Sequence, residues 1–137
     1  MKLCFSTLGC TEMAFEDILK LASEYRMGAV ELRGMDGTTD NFSISWFAAE
    51  NIAKTKRLFE QYGITPAVLG TSCTFHREDG FDKAIREGKQ SIAVAAGLGI
   101  PYIRVFGDRI ISEDSVKLVS RGIEMLCGFA SGSPVSV

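Results

Sequence analysis

Four residues stand where a side chain could do chemistry on a small molecule. Glu31 and Arg104 each interrupt a short apolar run, Ala29-Val30-Glu31-Leu32-Arg33 and Tyr102-Ile103-Arg104-Val105-Phe106. A carboxylate or guanidinium in such a run is costly to desolvate unless it is paired or hydrogen-bonded. Glu31 therefore reads as a polar contact to substrate, as a support for metal ligands, or as an ion-pair partner of Arg33 or Arg104. Arg104 reads as that partner or as a fork for an anionic substrate group; a charge-assisted hydrogen bond of this kind contributes about 1.5–3 kcal/mol. His76, the only histidine, closes the segment Thr71-Ser72-Cys73-Thr74-Phe75-His76, where it could bind substrate or move a proton. An ordinary loop position would suit it equally. Trp46 ends the stretch Asp36–Trp46, long for a strand-to-helix loop, and would either stack on a ligand or anchor the loop on the scaffold. Cys73 reads as a packing residue, since no base is placed beside it. One histidine with no acid at ligand spacing argues against a self-contained zinc site, and Gly34, Gly70 and Gly107 make neither a dinucleotide nor a P-loop motif.

The elements that must position these residues form an internal repeat: a short β-type run, a helical stretch, a glycine, then another β-type run. Strands are expected at Leu3–Leu8, Ala29–Arg33, Pro66–Gly70 and Tyr102–Phe106. Between them apolar residues recur at helical spacing. Phe15, Ile18, Leu19 and Ala22 mark the first helix, and Ile52, Phe59 and Tyr62 the second. Phe81, Ala84, Ile85, Gly88, Ile92, Ala95 and Ala96 mark the third, and Val116, Val119, Ile123, Leu126 and Cys127 the fourth. Gly28, Gly63 and the pair Gly97 and Gly99 are placed to close the first three helices in the left-handed conformation. Ser112 is a fitting N-cap for the fourth, with Glu113 and Asp114 at its positive end.

Strands alternating with helices at about 35-residue intervals imply parallel strands joined by right-handed crossovers. The class is α/β. Two architectures fit: a doubly wound sheet serving as a small-molecule-binding domain, or half of a (β/α)8 TIM barrel, with four parallel strands in sequential order, each followed by a helix. The end of the chain, Ser131-Gly132-Ser133-Pro134 then Val135-Ser136-Val137, reads as a loop and the opening of a fifth strand. Residues 1–137 are thus expected to be a single partial domain.

Composition narrows the function. The chain has 137 residues, 46% hydrophobic and 23% charged, with a formal net charge of −2. Its cations are scattered, which argues against nucleic acid or an acidic membrane as partner. The start, Met1-Lys2-Leu3-Cys4-Phe5, is too short and too quickly polar for a secretory leader, and no run is long enough to span a membrane. The four cysteines lack paired spacing and read as small buried hydrophobes of a cytoplasmic protein.

The segment Ala95-Ala96-Gly97-Leu98-Gly99-Ile100-Pro101-Tyr102-Ile103-Arg104-Val105-Phe106-Gly107 resembles the fourth-strand region of xylose-isomerase-like TIM barrels, a group that includes sugar phosphate isomerases/epimerases and inosose dehydratases. Ala29–Arg33 resembles the same family's second strand, where a glycine-ended helix feeds a strand ending in glutamate. With the opening strand and turn, the resemblance covers essentially the whole chain, in order, as the N-terminal half. It implies a divalent metal (Mn, Mg, Co or Zn) at the C-terminal mouth of the complete protein, held by two glutamates, an aspartate and a histidine of the second half. Proton transfer on a keto-sugar, sugar phosphate or polyol would occur there. The first of those ligands is expected a few residues beyond Val137. On this reading the chain itself carries no catalytic residue, no metal ligand and no cofactor, and is inactive alone. Glu31, His76, Arg104 and Trp46 would contact substrate, and the open half-barrel would self-associate, which also leaves room for a non-catalytic association module.

Overall fold

Four strands, β1 (Cys4–Ser6), β2 (Ala29–Leu32), β3 (Thr65–Thr74) and β4 (Tyr102–Phe106), pair in parallel in the order β1-β2-β3-β4 in a computed structural model that describes residues 3–137. Helices α1 (Phe15–Glu24), α2 (Ile52–Tyr62), α3 (Phe81–Leu98) and α4 (Glu113–Ala130) follow them one by one. A doubly wound sheet requires the strand order to reverse. Here each strand pairs with the next in the chain, so that alternative is set aside and the half-barrel holds. Met1 and Lys2, the start of the stretch weighed as a leader, lie outside the described residues. No helix among the described residues is long and apolar enough to cross a membrane.

The period-2 alternation of a strand separates two faces of the sheet. Val30, Leu32, Leu69 and Ile103 are buried in one core with Phe15, Ile18, Leu19, Phe59, Ile85 and Ile92 of the helices. The residues between them, Glu31, Gly70 and Arg104, lie on the opposite face, which in a closed barrel is the interior. The register sets Gly70 beside Arg104 and Glu31 beside Ser6 and Val68.

Several expectations shift. The first strand stops at Ser6, because the chain turns through a 3-10 segment at Thr7–Cys10. The buried Thr7 hydroxyl fixes that turn, donating to the Gly34 carbonyl at 2.6 Å and accepting from the Arg33 N–H at 2.8 Å. The third strand runs past Gly70 to Thr74 through a register irregularity, held by the Thr71 hydroxyl, which donates to the Arg104 carbonyl at 2.8 Å. α1 closes through Arg26 in the left-handed region (φ 54°), and Gly28 instead leads into β2 by donating to the Leu3 carbonyl. Gly97 lies inside α3, and Gly99 caps it.

The fourth helix has the expected N-cap, Ser112, which accepts from the Ser115 N–H at 3.2 Å, but its buried stripe is rotated. Leu126 faces the core as expected and Val119 is partly buried against it, joined by Ser115, Gly122 and Ala130, while Val116, Ile123 and Cys127 face out. Small residues win the inner face because α4 docks closely. A Cβ on Gly122 would stand 2.5 Å from Phe75 Cγ, and one on Gly88 of α3 2.5 Å from a Leu126 methyl. The cysteines also depart from the expected burial: only Cys73 is buried, Cys10 is partly covered, and Cys4 and Cys127 are exposed. Residues 135–137 do lie parallel to β4. The Ile103 N–H donates to the Ser136 carbonyl and the Ser136 N–H to the Pro101 carbonyl, both at 2.9 Å.

Candidate functional site

The polar residues of the inner face meet where the strands approach their C-terminal ends. Glu31 enters from β2 and Arg104 from β4, across the intervening β3. Arg104 Nε donates to Glu31 Oε1 at 2.7 Å and its Nη2 stands 2.5 Å from the same oxygen. The Glu31 and Arg104 side chains are 18% and 39% exposed respectively, so the pair is partly screened by solvent. Of the two partners considered for Glu31, the structure selects Arg104. The Arg104 guanidinium also lies over the Phe106 ring, 4.6 Å from its centroid, a cation–π contact that fixes its other face.

Arg33 takes a different path. It leaves β2 over Gly70, where a Cβ would stand 2.6 Å from its Cδ, so only glycine lets the side chain cross β3 here. Its Nη1 donates to the Thr39 carbonyl and its Nη2 to Ser72 Oγ, each at 2.9 Å. The Ser72 N–H in turn donates to Glu87 Oε1 at 2.5 Å. Among the described residues no carboxylate lies within ion-pair distance of Arg33. Considered from sequence only as a partner for Glu31, it is the residue at the end of β2 that the position rule for barrel strands should have singled out.

His76 is carried by the segment that follows β3. Phe75, fully buried, wedges against Gly122 of α4 and stacks edge-on with Phe81 at 5.8 Å, and this anchors the next residue. His76 Nδ1 is buried without a hydrogen-bond partner and stands 3.5 Å from Asp108 Oδ2. Asp108, on the loop after β4, adopts the left-handed region (φ 55°), a conformation that costs a non-glycine residue energy and clusters at functional positions. At that distance the carboxylate lies beside the imidazole without a hydrogen bond that would fix its tautomer. Sequence reading found no acid for His76, because Asp108 is 32 residues away in the chain and reaches it only once β3 and β4 pair. The signal was its place just after the β4 strand.

Trp46 is set apart from these. It belongs to a 3-10 turn, Ser45–Phe47, with its ring 5.2 Å from Phe15 and the Lys54 ammonium 4.5 Å from its centroid; its carbonyl accepts from the Thr55 hydroxyl at 2.8 Å. These contacts tie the loop to α1 and α2. The same loop is stiffened by Asp40, which accepts from Ser43 Oγ and the Phe42 N–H, and those bonds hold its carboxyl below the usual range. Cys73 donates to the Ala84 carbonyl at 3.2 Å, and burial pushes its thiol up to about 12, so it is no nucleophile at neutral pH.

A divalent metal does not fit the residues present. Glu31 is engaged by Arg104, Cys73 holds its proton, and no group of three or more His, Cys, Asp or Glu residues among the described residues is placed to share an ion.

No family model matches the chain, and no curated protein matches it significantly. Solved structures do. The chain is similar to the IolI protein, whose crystal structure carries a binding zinc atom, at 23% identity and a TM-score of 0.74 over 98% of this chain and 49% of that one. It is similar to the probable 3-DHS dehydratase AsbF of Bacillus anthracis at 20% identity, TM-score 0.72, over 96% of this chain and 49% of that one. It is also similar to a D-psicose 3-epimerase of Clostridium cellulolyticum H10, solved with D-tagatose, at 11% identity, TM-score 0.73, over 98% and 50%. The chain spans about half the length of the structures it matches. What the likeness shows is the fold: half of a (β/α)8 TIM barrel.

Proposed function

We propose that this chain is the N-terminal half of a cytoplasmic (β/α)8 protein that acts on a small keto-sugar, sugar phosphate or polyol by proton transfer between neighbouring carbons, as an isomerase or epimerase of carbohydrate metabolism. The observation that carries the reading is the Glu31–Arg104 pair on the inner face. Barrels of this class bind substrate at the C-terminal ends of their strands, and an ion pair with open donors and acceptors suits hydroxyl groups there. In this reading Glu31, Arg104 and His76 contact the sugar, and Trp46, set apart from them, anchors the loop on α1 and α2. Asp108 lies beside His76. The expected metal of the complete protein is held by residues outside this chain, and the chain alone is inactive.

The test is direct. Titration of the chain with D-fructose or D-tagatose, followed by amide chemical shifts, is expected to move signals of residues 31, 76 and 104, and Glu31→Gln is expected to weaken the effect about tenfold, the size of one charge-assisted contact. Shifts that map to the helical face instead would overturn the sugar site. Turnover stimulated by Mn or Mg in the purified chain would overturn the inactivity.

A second reading, a non-catalytic association module, is favoured by one feature. Tyr102 of the inner face and Val116, Ile123 and Phe129 of α4 are large, apolar and exposed. Such a surface is a place for protein contact.

A further inference from the structure

We propose that Arg33 and Arg104 together form an anion-binding corner on the inner face, so that the small molecule this protein handles carries a phosphate or carboxylate group. The inference deepens the sugar-site reading and rests on it only for the rest of the ligand. Both arginines border the one strand position that has no side chain. The register sets Arg104 beside Gly70, and Arg33 lies over the same glycine. Of the carboxylates nearby, Glu31 is spent on Arg104 through a single oxygen. Glu87 is the other acid near Arg33, but it ends on the Ser72 N–H and makes no ion pair with the guanidinium.

Arg33 is also held ready. Its backbone N–H donates to Thr7, its Nη1 to the Thr39 carbonyl and its Nη2 to Ser72. Of the five donors of a guanidinium, the side chain uses two on neutral acceptors. The fork is fixed in place with donors to spare and no bonded counter-charge. A planar fork so fixed matches the paired oxygens of a phosphate ester or a carboxylate.

Phosphate esters and carboxylates share this chemistry, and the experiment separates them. Inorganic phosphate, D-fructose 6-phosphate, D-gluconate and D-fructose are titrated into the chain and followed by amide shifts and the arginine Nε–H signals. Phosphate is expected to move Arg33, Gly70 and Ser72, and one or both anionic sugars are expected to bind about tenfold more tightly than D-fructose. Arg33→Gln is expected to remove that preference and Arg33→Lys, which keeps the charge without the fork, to restore part of it. Equal binding of charged and neutral sugars, phosphate shifts that map away from Arg33, or an unchanged preference in a folded Arg33→Gln chain would each overturn the proposal. Phosphate at Arg33 with no sugar binding at all would sink the sugar reading and leave the anion corner standing.

Discussion

Glu31 and Arg104 show how a charged pair earns a place on a β-sheet whose other residues are apolar. Each would be costly alone, and together they satisfy each other while keeping some solvent contact. A double-mutant cycle of Glu31→Gln and Arg104→Gln is therefore expected to give a coupling of about 1–2 kcal/mol in urea denaturation, below a fully buried charge pair because of that exposure. A coupling near zero would mean the two side chains are independently solvated. Cys73 makes a different prediction. Burial holds its thiol up to about 12 against an ordinary value of 9.0, so above pH 9 an unfolded chain sheds a proton that the folded chain keeps. The contribution is whole below pH 9 and is lost as pH rises toward 12. The stability difference between the native chain and Cys73→Ala is expected to shrink across that window, and a constant difference would rule out a proton kept by burial. The charges of the site were legible in the sequence because an acid or base inside an apolar strand is conspicuous. The pairings were not: Arg33 and Arg104 were equal candidates for Glu31, and Asp108 had no visible link to His76, since both choices depend on strand register and loop path.

The repeat of strands and helices was legible because each helix hides a stripe with a 3.6-residue period, and β4 and the α1 stripe lie where the periodicity puts them. Boundaries moved where side chains hold the backbone, at Thr7 and at Thr71. The rotated face of α4 has a different cause. Hydropathy favours Val116, Val119, Ile123, Leu126 and Cys127 as the inner stripe; Leu126 and, in part, Val119 hold it, but a close approach to Phe75 selects Gly122 and with it Ser115 and Ala130 over Val116, Ile123 and Cys127. Two glycines of this helix therefore separate packing from propensity. Gly122→Ala gains roughly 0.5–1 kcal/mol of helix preference but places a methyl 2.5 Å from a buried ring, an overpacking that costs about 1–3 kcal/mol. Net destabilisation is expected in thermal melts. Gly128→Ala meets nothing within 4 Å and is expected to raise stability by about 0.5–1 kcal/mol. If both changes act alike, α4 does not dock through Gly122.

At the scale of the whole molecule, four strands in sequence carry a core on one face and leave the other, polar above and apolar at Tyr102, without a covering layer. β1 and the strand-like residues 135–137 bound the sheet, and a sheet that does not close on itself presents unpaired backbone groups at its edges. On the outside, Val116, Ile123 and Phe129 line α4 at 51%, 38% and 50% exposure. Val116 and Ile123 lie on one flank of the buried stripe and Phe129 on the other, and burying such exposed apolar area would release about 25 cal/mol per Å². The chain is therefore expected to self-associate, with an apparent mass in light scattering that rises with concentration. Ile123→Lys combined with Phe129→Lys should lower that mass without lowering the melting temperature, because neither side chain belongs to the core. If the mass stays at the monomer value across concentrations, these faces are tolerated by water and the association reading fails. If the charged variant still associates, the open sheet rather than α4 is the contact, and placing a lysine at Tyr102 becomes the variant expected to dissociate it.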